Sequence, residues 1–235
     1  MAAVQLADTT LFADANLQAY YTLEDVNDDI GANNLTNNNT VTFTTAKFAN
    51  GANGGATNTN KFLNVANVLG YANAAYSISL WVKLLTEIST GSYDLCELQE
   101  ATTDTSLLIS YEYNSGTRRL NCGKLRAGVA FDGIAYETAL GTSIFHHIVL
   151  TYDGSTLILY IDNVNVGTVA STGNGTSALT SGLEILSGRA GASGNLTSGI
   201  IDDWAGFDRV LTVGDINLLY NGPATGTFMK LGKYQ

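Results

Sequence analysis

The chain reads as all-β: one antiparallel two-sheet β-sandwich, a jelly roll, with one short helix near its C-terminus. Three observations predict it. Runs of β-branched and aromatic residues are short and bounded by turn residues, which is the pattern of strands rather than helices. Gly (25) and Asn (22) are abundant while Pro occurs once, and both abundant residues tolerate the positive φ that tight hairpins need. At 235 residues the length suits a single large all-β domain with an ample core.

The elements follow in order. Asn33 to Thr45 is rich in Asn and Thr but alternates into Val41 and Phe43, so it is read as loop, then strand. Ile78–Lys83 is a β-rich run with polar flanks. Leu107–Tyr113 and Arg119–Arg126 are two strands joined by the turn Asn114-Ser115-Gly116. The strongest signal lies between Ile144 and Val169. There Ile148–Tyr152, Leu157–Ile161 and Val164–Val166 are separated by Asp153-Gly154 and Asp162-Asn163, a meander whose pairing is antiparallel. The helix starts at Thr212, with Asp215 completing a capping-box pattern. Ile216, Leu219 and Tyr220 recur at helical spacing, and Asn221-Gly222-Pro223 stops it. No internal repeat and no second domain is read.

Composition excludes several function classes. The formal net charge is −10, with Lys and Arg scattered, so nucleic acid and anionic membrane are poor partners. No apolar run approaches a membrane span, and the start, Met1 to Asp8, has neither the basic nor the long apolar region of a secretory signal. Cys96 and Cys122 are the only cysteines. They lie on strands with Leu107–Tyr113 between them, about 9–10 Å apart, too far for a disulfide. Two free thiols are expected.

Four stretches, in order, resemble the laminin-G-like branch of the concanavalin A-like lectin/glucanase superfamily. They are Ala19–Leu23 with Asp28–Asn38; Tyr76–Lys83, with its Leu80-Trp81-Val82-Lys83; His146–Ser155; and Gly199–Trp204 running through Asp208–Thr212 to Asn221. The resemblance covers about residues 17–222 and implies a domain over 15–222, flanked by an arm, 1–14, and a tail, 223–235. Phe145 stands where the family usually has Trp, Asn163 replaces the usual Gly after Asp162, and Asn50–Asn60 is an unusually polar form of the family's glycine-rich segment.

The resemblance also implies a structural calcium ion, held by Asp203, Asp28 and the Gly51 carbonyl. The alternative is that these acids are hydrogen-bonded turn residues without a metal. Glycosidases on this fold use paired carboxylates on one strand face, and here the nearest match, Glu97 with Glu100, has an odd offset that separates the two faces. No catalytic role is expected, and His146 and His147 are assigned to packing. Tyr111 and Tyr113 share one side of a strand, either as a sugar platform or as core. The expected function is a non-catalytic surface, decoration or adhesion protein of a virion, made in the cytoplasm, whose partners are glycans or other virion proteins. The alternative is a secreted or cell-surface glycan-binding module. Homo-oligomerisation is left open, and no membrane insertion is expected.

Overall fold

The computed structural model describes residues 5–6, 9–58, 60–71, 75–100, 105–126, 129–171, 179–188, 195 and 197–221. Among the described residues, fifteen strands form two antiparallel sheets, followed by a helix. The larger, eight-stranded sheet contains β1 (Leu17–Tyr21), β3 (Thr42–Thr45), β4 (Asn50–Asn53), β6 (Tyr76–Leu84), β11 (His146–Tyr152), β12 (Thr156–Ile161), β13 (Val164–Ala170) and β15 (Gly199–Phe207). The smaller has β2 (Thr36–Asn38), β5 (Phe62–Tyr71), β7 (Gly91–Glu100), β8 (Thr105–Asn114), β9 (Thr117–Arg126), β10 (Val129–Glu137) and β14 (Leu179–Ile185), in the order β10-β9-β8-β7-β14-β5-β2.

The expected meander is present as β11, β12 and β13. Its second turn uses Asp162 and Asn163, both left-handed at φ 51° and 67°, the backbone that the hairpin's twist demands. Ser115 and Gly116 turn β8 into β9 in the same way, at φ 52° and 93°. The segment beginning at Asn50 is an ordered strand over its first four residues, since β4 pairs with β15 at Ile200 and Ile201. Farther along, the Asn58 side chain donates to Lys61 and Thr197 carbonyls. Thr59 lies outside the described residues.

The main core fills the space between the sheets with alternate residues of each strand, such as Ile78, Leu80 and Val82 of β6 against Leu107, Ile109 and Tyr111 of β8. Cys96 and Cys122 are buried there as free thiols. β8 separates them, with Cys96 opposite Ile109 and Ile109 opposite Cys122. Burial pushes the Cys96 thiol up to about 12, so it stays protonated and inert.

A second core covers the outer face of the larger sheet. Leu6, Leu11 and Leu17 meet Tyr20, Phe207, Leu211 and the helix residues Ile216 and Leu219. Residues 5–14 are therefore not a projecting arm; where described, they are part of the domain. The helix α1 (Val213–Asn221) opens on the expected box: Asp215 N donates to Thr212 Oγ1 at 3.1 Å, and Thr212 N donates to Asp215 Oδ2 at 2.9 Å. Arg209 ties the two coverings together, donating to Asp14 at 2.7 Å and to Asp215 at 2.8 Å. The tail from 222 onward lies outside the described residues.

Candidate functional site

Strand register on the smaller sheet assembles the site. On β8, Leu107, Ile109 and Tyr111 point into the core, so Leu108, Ser110 and Glu112 point out. Pairing extends each of these outward positions into a row across four strands. Ser92, Glu112, Arg119 and Glu137 form one row, and Asp94, Ser110, Asn121 and Ala135 the next. In the third, Glu97 and Leu108 lead to Gly123 and Gly133. A bulge between Asp94 and Cys96 turns both Asp94 and Glu97 outward although an odd offset separates them.

These rows floor a groove of about 310 Å³, walled by Phe131, Asn195 and the Glu112–Arg119 ion pair. The glycine pair seats the aromatic wall. A Cβ on Gly133 would lie 2.6 Å from Phe131 Cζ and 2.8 Å from Gly123 Cα, so any side chain at Gly133 would displace the ring. Ser110 and Asn121 are 3% and 8% exposed, and both line the groove floor. The floor therefore offers one hydroxyl and one carboxamide, both donor and acceptor, to whatever enters, beside a flat apolar ring.

Beyond the groove, Glu97 faces Glu184 across β7 and β14. Both are buried, at 1% and 6% exposure. Gly188 lies against Glu97 and Asp94: a Cβ there would come within 2.7 Å of Glu97 Oε2 and 2.6 Å of Asp94 Oδ2. Sequence spacing could not have paired Glu97 with a residue on a distant strand. The side chain of Glu100 lies outside the described residues.

The residues singled out from the sequence fall elsewhere. Tyr111 and Tyr113 do share a side, but it is the inner one. Tyr111 is fully buried, its hydroxyl donating to Thr138 O and accepting from Leu140 N. Tyr113 packs against the core with the Arg118 guanidinium 5.4 Å from its ring centre. They form no exposed sugar platform.

The three calcium candidates are not gathered into a cage. Asp202 and Asp203 sit mid-strand, in a bulge of β15 where Asp203 takes φ 52°. Asp203 is 3% exposed. Its Oδ2 accepts from Leu6 N at 3.1 Å and its Oδ1 from the Tyr20 hydroxyl, so both oxygens already face donors of the chain. Asp28 accepts from Ile30 N and Asn33 N in its own loop. Gly51 packs against β15, where a Cβ would lie 2.8 Å from the Ile201 carbonyl oxygen. This donor set does not fit calcium, which takes six to eight free oxygens. Among the described residues, no group of three or more His, Cys, Asp or Glu side chains could hold a metal ion.

The histidines are structural. His146 bridges Asp162 Oδ2 at 2.6 Å and the Leu140 carbonyl at 2.7 Å. His147 stacks on Trp81 with ring centres 4.7 Å apart, and its Nε2 lies 2.9 Å from Ser79 Oγ.

The sandwich, its helix and the sequence together define a class of protein. A family model described as the concanavalin A-like lectin/glucanases superfamily matches residues 53–217, and the chain belongs to that family. Among solved structures it is similar to domain 4 of AbnA, a GH43 extracellular arabinanase from Geobacillus stearothermophilus, in complex with arabinotriose. The identity is 18% and the TM-score 0.66, covering 87% of this chain and 98% of that one. It is also similar to the receptor-binding domain of a botulinum neurotoxin C/D mosaic serotype, at 15% identity and TM-score 0.66, covering 88% of this chain and 51% of that one. A third is Trypanosoma rangeli sialidase in complex with 2,3-difluorosialic acid, at 16% and 0.64, covering 88% and 33%. At these identities the likeness is one of fold. No curated protein matches the chain.

Proposed function

We propose that this protein is a non-catalytic carbohydrate-binding module that takes its glycan in the groove on the outer face of the smaller sheet. One observation carries the reading: the nearly buried Ser110 and Asn121 set a hydroxyl and a carboxamide on the floor of a groove that Phe131 also lines. A sugar presents alternating hydroxyls and C–H faces, which the hydroxyl, the carboxamide and the Phe131 ring complement. Arabinotriose, bound by the arabinanase domain of the same fold, is a natural first probe. The non-catalytic reading is supported by the burial of Glu97 and Glu184, because a glycosidic acid must reach the leaving oxygen.

The test is a glycan array followed by calorimetry. Binding is expected in the native protein, weakened about tenfold by Asn121→Ala and also weakened by Phe131→Ala. An array with no hits, or affinity unchanged in both variants, would sink the proposal. Extracellular display suits such a module. Placement on a virion exterior is a separate proposal from the sequence, which protease treatment of intact particles tests.

A further inference from the structure

Resting on that reading, we infer that the groove takes a sugar bearing a methyl group, with the methyl seated at one end between Leu108 and Phe131. The groove changes character along its strands. The row of Ser92, Glu112 and Arg119 lines one end and is polar throughout. Ser110 and Asn121 follow in the middle row. Leu108 begins the other end, four residues from Glu112 on β8 and so about 13 Å away.

Leu108 and Phe131 are the two large apolar side chains among the described lining residues. Neither belongs to a described core, so core packing does not account for them. Leu108 pairs with Gly123, and Gly123 with Gly133. The tip of the Phe131 ring lies 2.6 Å from where a Gly133 Cβ would stand. No side chain of this row therefore stands between the leucine and the ring, and this end of the groove is an apolar notch. A sugar hydroxyl placed there would exchange its water for carbon, at a cost. A methyl leaves water at a gain, while the sugar's hydroxyls keep Ser110 and Asn121 as partners. Two kinds of sugar carry such a group: deoxyhexoses such as fucose and rhamnose on their terminal carbon, and N-acetylhexosamines on their acetamide.

Ligand-observed NMR titration of the full chain tests this with pairs that differ by a single group: L-fucose against L-galactose, L-rhamnose against L-mannose, and N-acetylglucosamine against its N-formyl analogue. In at least one pair the methyl-bearing member should bind about fourfold tighter, and its methyl protons should receive the strongest saturation from the protein. The pair that shows the gap tells a deoxy methyl from an acetamide methyl. Leu108→Ala and Phe131→Ala should each shrink the gap, with melting temperatures recorded to confirm folding. If a variant fails to fold, the saturation pattern of the native chain still decides, and strongest saturation away from the methyl overturns the inference. If the members of every pair bind equally, the methyl preference is overturned while glycan binding stands. If no sugar binds at all, both are overturned. A gap that survives in both alanine variants would overturn the seat between Leu108 and Phe131.

Discussion

At the scale of single residues, the bulge in β15 sets the chemistry most sharply. Asp202 is fully buried beside Trp81, with Phe48 N donating to Oδ2 at 2.8 Å. Burial pushes its carboxyl from 3.8 up to about 8, so the fold favours the neutral acid. Its contribution to stability is full below about pH 4 and drains as pH rises towards 8. His147, in the same row of side chains, has the opposite sign: burial lowers its ring from 6.5 to about 3. Its contribution is full above pH 6.5 and drains as pH falls towards 3. The two oppose each other in mild acid. Above pH 6.5 the slope of Asp202 adds to that of His146, whose ring the Asp162 hydrogen bond raises above its usual 6.5, so stability should fall as pH rises towards 8, by up to about 1.4 kcal/mol per pH unit from Asp202. Calorimetry across that range should show the decline in the native protein and a shallower one in Asp202→Asn. Its neighbour gives a second expectation. Asp203→Ala removes the acceptor of the Leu6 amide and of the Tyr20 hydroxyl and should cost on the order of 3 kcal/mol, equally with calcium or with chelator. None of this was legible in the sequence, because Leu6 and Tyr20 are 197 and 183 residues away from Asp203. Tyr111 and Tyr113 were half legible. Period-two alternation put them on one side, and only the polarity of Ser110 and Glu112 opposite hinted that this side was the inner one.

At the scale of elements, local chemistry was readable wherever a turn or cap carries its own signature. The Asp162-Asn163 turn, the Asn114–Gly116 turn and the Thr212–Asp215 box all form as expected. Replacing Thr212 with Ala should cost about 1 kcal/mol, visible as a lower denaturation midpoint with an unchanged slope. The strand order around the cysteines was also readable, and intact-mass measurement without reductant should find no bond between Cys96 and Cys122. What was not readable were elements made by a partner's edge rather than by their own residues. Asn50-Gly51-Ala52-Asn53 has no apolar alternation. It is a strand because β1 pairs with β15 only from Trp204 to Phe207, leaving the edge at Ile200 and Ile201 open. The groove belongs to the same class, since its rows exist only once four strands are in register.

At the scale of the molecule, the sheets enclose one core and the chain's own ends enclose another. Leu6 and Leu11 reach the second core from the N-terminal side, and Ile216 and Leu219 from the helix. Deleting residues 1–12 would expose Tyr20, Phe207 and Leu211 to water. At about 1.5–3 kcal/mol per uncovered leucine, the melting temperature should drop by roughly 10 °C, with a gain in dye binding to exposed apolar surface. A deletion that melts like the native chain would show that this covering is dispensable.

The second core also decides which way the module faces. Leu6, Leu11 and the closing helix lie on the back of the larger sheet, while the groove opens from the front of the smaller one. A support joined directly before Leu6 or directly after Asn221, whether a further domain, a particle or a solid surface, would hold the sandwich from behind. The groove then points away from its anchor like a palm turned outward. Fluorescent fusions at either terminus should therefore leave glycan capture intact, and many copies on one scaffold would present their grooves to the same side.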